Sequence, residues 1–139
     1  MEQDPGALAY DLVTTCARVI RWIPTDGVPL SIAAIRLLAR LEEAGPARVS
    51  DLADLERSSQ PTITNHINRL EAQGLVRRAP HPLDRRAWTI AISPRGREQL
   101  AQTRAITARN IEPALARLSS AERTTLLDGL AVMRRLIDG

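Results

Sequence analysis

The chain has 139 residues, 44% hydrophobic and 25% charged, which is the size and balance of one globular domain. No apolar run approaches the ~18 residues of a membrane span and no signal-peptide pattern opens the chain; the lone Cys16 excludes an internal disulfide, and with only His66 and His81 beside it no metal set and no cofactor are expected in what reads as a cytoplasmic protein. All 19 basic residues are arginines, and eight of them lie in 57–97 against only Glu71 and Asp84, so a segment of net charge +6 stands in a remainder of −3, a pattern that suggests one polyanion-facing segment.

The spacing of apolar residues predicts a mainly α fold with a small β-wing. Asp4-Pro5 is a cap and first helical residue, and Leu8, Leu12, Cys16, Val19, Ile20 and Ile23 then share one helical stripe until Pro24 stops it. After the turn at 25–29, Ser31 caps a second helix with Ile32, Ile35, Leu38 and Leu41 inward, ended by Gly45-Pro46. Ser50 caps a short third helix with Leu52, Ala53 and Leu55 inward. Ser58-Ser59-Gln60-Pro61 breaks the chain and starts a fourth helix, since Pro61 disfavours helical geometry at Gln60. In that helix Ile63, Ile67 and Leu70 form the buried stripe and Gly74 ends it. Two short helices joined by a tight turn make a helix-turn-helix pattern.

The period then changes to two. Leu75-Val76-Arg77-Arg78 reads as a strand, and beyond a Pro/His/Asp tip at 80–85, Trp88, Ile90 and Ile92 alternate with Ala87, Thr89 and Ala91. This hairpin directly after the fourth helix is a wing. Ser93-Pro94 caps a long helix carrying Leu100 and Ile106, with a break or kink expected at Pro113. Ser119-Ser120-Ala121-Glu122 is a capping box for a last helix that buries Leu126, Leu127, Leu130, Met133, Leu136 and Ile137. The expected organisation is a single domain over 1–139, with a winged helix-turn-helix core at 31–93 and dimerisation helices at 1–24 and 94–139. The apolar stripes of those arms need a partner, which predicts an obligate homodimer.

With Ile63, Ile67 and Leu70 inward, helical geometry turns Pro61, Asn65, Asn68 and Arg69 outward, with Thr62 alongside. An Arg forks to guanine and an Asn pairs with adenine in the major groove, while Ser58, Ser59 and the free amides at the helix start suit phosphates. His66 lies on the flank of the stripe, where packing is the expected role. At the wing tip, Asp84-Arg85-Arg86 suits the narrow, electronegative minor groove, the acid holding a guanidinium in place.

The run Leu70–Gly74-Leu75-Val76-Arg77-Arg78, then Asp84-Arg85-Arg86-Ala87, then Ile90-Ala91-Ile92-Ser93-Pro94-Arg95-Gly96, resembles the signature of MarR-family transcription regulators. The resemblance extends to the terminal helices and to the Leu118-Ser119 … Glu122 opening of the last one. It implies a dimeric winged-helix protein binding double-stranded DNA at a near-palindromic operator, usually a repressor, often released by a small anionic or aromatic effector. Arg86 is similar to the family's minor-groove arginine, Asp84 to its brace, and Arg78 to the strand arginine near the DNA backbone. Thr62, Thr64, Asn65 and Arg69 match recognition-helix positions. The candidate DNA-binding set is therefore Ser58, Ser59, Gln60, Thr62, Thr64, Asn65, Arg69, Arg78, Asp84, Arg85 and Arg86, in a protein associated with the nucleoid.

Arg18, Trp22 and Arg36 are candidates for lining an effector pocket. Cys16 offers an alternative, because one branch of the family senses peroxide with a first-helix cysteine. Here only Tyr10 is at hand, and an apolar setting without a nearby cation keeps a thiol inert. A winged-helix module that binds another protein and never touches DNA is the competing class, against which the wing arginines and the +6 segment weigh. These helices place no His/Ser/Asp or paired-carboxylate constellation, so no enzyme is expected.

Overall fold

The Asp4 carboxylate accepts the amides of Gly6 and Ala7 and so opens helix α1, Pro5–Trp22. In the computed structural model, which describes residues 3–139, there follow α2 (Ile32–Ala44), β1 (Ala47–Arg48), α3 (Val49–Leu55), α4 (Gln60–Ala72), β2 (Val76–Pro80), β3 (Trp88–Ile92), α5 (Pro94–Ala116) and α6 (Ser120–Asp138). The first two residues of the expected arm 1–24 lie outside the described residues. The fold is mainly helical with one small antiparallel sheet in the order β1-β3-β2.

Two compact units divide the chain. One comprises residues 1–26 and 107–139, the other residues 27–106. The aliphatic core belongs to the second: Ala34, Leu37, Leu38 and Leu41 of α2, Leu52 and Ala53 of α3, Ile63, Ile67 and Leu70 of α4, with Leu75, Val76, Ile90 and Leu100. In the first unit, Asn110 Nδ2 donates to the carbonyls of Pro24 and Asp26, at 3.1 and 2.9 Å, tying the end of the first arm to α5.

Several expectations need correcting. Ile32 is 64% exposed, and Ala34 and Leu37 take the inward positions of α2. The expected spacing of three residues drifts around a helix, whereas the stripe through Leu38 and Leu41 runs back along i, i−3 and i−4. Ser50 does not cap α3: the chain enters from β1, which pairs with β3 as Ala47↔Ile90 and Arg48↔Thr89, so the extended Arg48 is the cap residue. Leu55 is exposed, and Glu56, one turn beyond Leu52, turns inward instead. Its side chain is only 9% exposed and pairs with Arg36 at 3.0 Å and with Arg40, which ties α2 to the end of α3.

Gln60 is the first residue of α4 and Pro61 the second, inside the first turn, where a missing N–H costs nothing. Pro113 does not break α5, which runs unbroken to Ala116; Pro113 is exposed, so the carbonyl it leaves unpaired has access to water. Trp88 is 49% exposed because it pairs with Pro80 at the outer end of the ladder, whereas Ile90 is fully buried. α6 is opened by the expected capping box, yet neither α1 nor α6 contains a fully buried residue within the single chain. Leu126, Leu127, Leu130, Leu136 and Ile137 are all exposed.

Candidate nucleic-acid interface

The turn into α4 is built by backbone geometry. Ser58 N donates to Ala53 O and Arg57 N to Asp54 O, the paired bonds of a helix C-terminus whose extra residue is left-handed. That residue is Arg57, at φ 51°, where glycine is the usual choice. An exposed arginine held in this conformation just before α4 is a feature that the spacing of apolar residues gave no reason to single out. Ser59 then caps α4, its Oγ accepting from Thr62 N at 3.3 Å and lying 2.8 Å from Thr62 Oγ1, so this hydroxyl already serves the helix.

Along α4 the two faces separate cleanly. Ile63, Ile67 and Leu70 are buried, and Gln60, Thr62, Asn65, Asn68 and Arg69 are exposed. Thr64 and Ser58 are half-buried. The helix ends with Leu75 N bonded to Leu70 O and Gly74 N to Glu71 O, which places Gly74 at φ +73°, a value an L side chain rarely adopts. His66 is half-buried and lines a cavity of about 200 Å³ with Ile32, Arg36 and Glu56, and another of about 230 Å³ with Ser31, Arg69 and Gln73.

The wing pairs Val76↔Ile92 through Pro80↔Trp88, closed by His81 N to Ala87 O at 2.8 Å. At the tip Asp84 Oδ1 accepts the Arg86 backbone amide at 3.0 Å, and Asp84 O accepts Ala87 N. Among the described residues no ion pair joins Asp84 to a guanidinium, so the acid holds the turn of the chain rather than the arginine head. Arg85 and Arg86 are exposed beside it, as is Leu83. Arg78 does not stand free: Nε reaches Glu71 Oε2 at 3.4 Å and Nη2 donates to Asn68 Oδ1 at 3.1 Å. This link across ten residues joins the wing strand to α4.

Helix α4 and the wing thus belong to one unit, with Arg57, Arg69, Arg77, Arg85 and Arg86 exposed on it. Residues 30–88 match the MarR family model. A relative in Mycobacterium bovis, the uncharacterized HTH-type transcriptional regulator Mb0904, is 31% identical over 140 residues, covering 99% of this chain and 98% of its own. The chain belongs to the MarR family. Another relative, the uncharacterized HTH-type transcriptional regulator YdgJ of Bacillus subtilis, is 31% identical over 78% of this chain and 66% of its own length, so the chain matches about two thirds of that protein. The crystal structure of the transcriptional regulator Tm0710 from Thermotoga maritima is similar with a TM-score of 0.70 at 25% identity, covering 96% of this chain and 95% of that one. As a MarR-family member the protein is a DNA-binding transcriptional regulator and not an enzyme.

The other candidate residues belong to α1 and α2. Arg18 and Trp22 line a depression of about 410 Å³ on α1 with Thr15 and Val19, in the first unit, whereas Arg36 lies in the second, paired with Glu56. Cys16 is half-buried on α1 and Tyr10 is exposed. Among the described residues no helix is long and apolar enough to cross a membrane, and no group of three His, Cys, Asp or Glu is placed to hold a metal.

Proposed function

We propose that this regulator is a repressor acting as a homodimer, which seats two copies of α4 in major grooves roughly 34 Å apart on a near-palindromic operator. The observation that supports it is the outward line of α4, where Thr62, Asn65 and Arg69 stand opposite the buried Ile63, Ile67 and Leu70. Asn65 and Arg69 are assigned to base edges, with Gln60, Thr62 and Thr64 beside them. Ser58, Ser59 and the first-turn amides face phosphate, and Arg85 and Arg86 enter the adjacent minor groove. Asn65→Ala and Arg69→Ala should each cost about 1–3 kcal/mol on the operator and much less on random duplex. Equal losses on both duplexes, measured by titration at one salt concentration, would remove these residues from base reading.

A small anionic or aromatic effector is the proposed release signal. The depression on α1 supports it, because Arg18 and Trp22 both line it. Arg36 has less to offer such a ligand, because Glu56 already pairs with it.

The role of Asp84 separates geometry from charge. Asp84→Asn and Asp84→Ala both remove one negative charge near the phosphates, which favours binding at low salt. Only Asp84→Ala also removes the acceptor of the Arg86 amide. The alanine variant should therefore bind the operator about threefold to tenfold more weakly than the asparagine variant, the span of one modest hydrogen bond. Equal affinities for the two would show that the turn needs no such support.

A further inference from the structure

Asn65 and Asn68 stand three residues apart on the exposed side of α4, and their surroundings differ. Among the described residues nothing hydrogen-bonds the Asn65 carboxamide, which keeps both a donor and an acceptor for a partner. Asn68 Oδ1, in contrast, accepts from Arg78 Nη2 at 3.1 Å, while Arg78 Nε is held by Glu71 Oε2 at 3.4 Å. A guanidinium has donors only, so the carboxamide must turn its oxygen toward Arg78 and its NH2 group away. Arg78 is fixed at its base by the ladder opposite Ile90, and its side chain is 31% exposed, so the fork does not follow the amide outward.

We propose that Arg78 is a specificity-determining positioning residue, which, by engaging Asn68 Oδ1, turns the Asn68 NH2 group outward and makes Asn68 read the major groove chiefly as a donor. Such a reader selects a base that presents an acceptor: guanine through O6 or N7, or thymine through O4. An unconstrained Asn pairs with adenine by donating to N7 and accepting from the N6 amino group. At Asn68 that amino group would have to share Oδ1 with a cation, so adenine is disfavoured. The two asparagines of one helix face therefore read different bases. This inference rests on α4 lying in the major groove.

Selection of binding sites from a randomised duplex pool, using the full chain and its variants, tests it. Asn68→Ala should erase a bias of roughly fivefold to tenfold at one base pair per half-site. Arg78→Met, which removes the donors and keeps an apolar stem, should shift that same base pair toward adenine. Asn68→Asp keeps the bridge to Arg78 and has no donor, so it should shift the position toward cytosine, whose N4 amino group donates. Thermal melting checks the fold of each variant; if Arg78→Met unfolds, the parent motif decides, because adenine at the position that Asn68→Ala erases overturns the proposal. A selected motif left unchanged by both Asn68 variants overturns the proposal. So does an Arg78→Met protein that binds every duplex more weakly with the bias at that position intact. If Asn65→Ala and Arg69→Ala also leave the motif unchanged, it is the placement of α4 in the groove that fails.

Discussion

Gly96→Ala is expected to lower the melting temperature by roughly 10 °C, the consequence of about 3 kcal/mol of overpacking in a domain of this size. Helix propensity alone points the other way, since Ala is favoured over Gly inside a helix by about 1 kcal/mol. The contact decides the sign. A Cβ built on Gly96 would lie 2.1 Å from Leu75 O and 2.9 Å from Ile92 Cγ1. Leu75 O is backbone and already accepts the Ser93 amide at 3.0 Å, so it has nowhere to retreat. Nearby, Ser93 Oγ donates to Gly74 O at 2.6 Å and accepts from Gly96 N at 2.9 Å. The start of α5 is thus locked against the end of α4, and prising them apart disturbs the base of the wing as well. Operator affinity should fall together with stability. A melting temperature within about 2 °C of the parent would mean that α5 shifts freely over Leu75.

The parts of this fold that local spacing dictates are legible in the sequence, and the parts that depend on a distant neighbour are not. Ile63, Ile67 and Leu70 identify the buried side of α4 because a four-three spacing has one solution on a helix. β1 has only two residues, Ala47 and Arg48, too few to carry a period; it exists because β3 offers them an edge. The Asp84-Arg85-Arg86 run suggests an acid holding an arginine, but the sequence does not say by which atom. The backbone amide of Arg86 is already within reach, whereas its guanidinium would have to give up side-chain freedom to meet the same carboxylate. The fork of Arg78 onto Asn68 and Glu71 was hidden for another reason. Periodicity assigns each residue to a face of its own element, and only the packing of β2 beside α4 brings these faces together.

Leu130→Asp/Ile137→Asp is expected to give a folded monomer whose operator affinity is down by about a hundredfold or more. Leu126, Leu130, Met133 and Ile137 follow a four-three-four spacing along one side of α6. Within the single chain Leu130 is 38% exposed and Ile137 is 79% exposed, so carboxylates there lose little in an isolated protomer. Leu8, Val19 and Ile20 of α1 are likewise exposed, and a solvated protein seldom leaves so many apolar side chains uncovered on two helices. A second copy of the chain would cover them, and a carboxylate carried into that dry surface has no partner. On the proposed dimer, its loss would leave each α4 to bind its half-site alone, without the effective concentration that a joined pair provides. Binding to random duplex, which counts phosphates, should fall far less. The winged unit draws its core from residues of 27–106, so the double variant should keep a cooperative melt and its helical signal. Light scattering gives the mass, and titration against the operator gives the affinity. A monomeric parent protein at micromolar concentration, or a double variant that stays dimeric and holds the operator as tightly as the parent, would show that these faces serve another purpose.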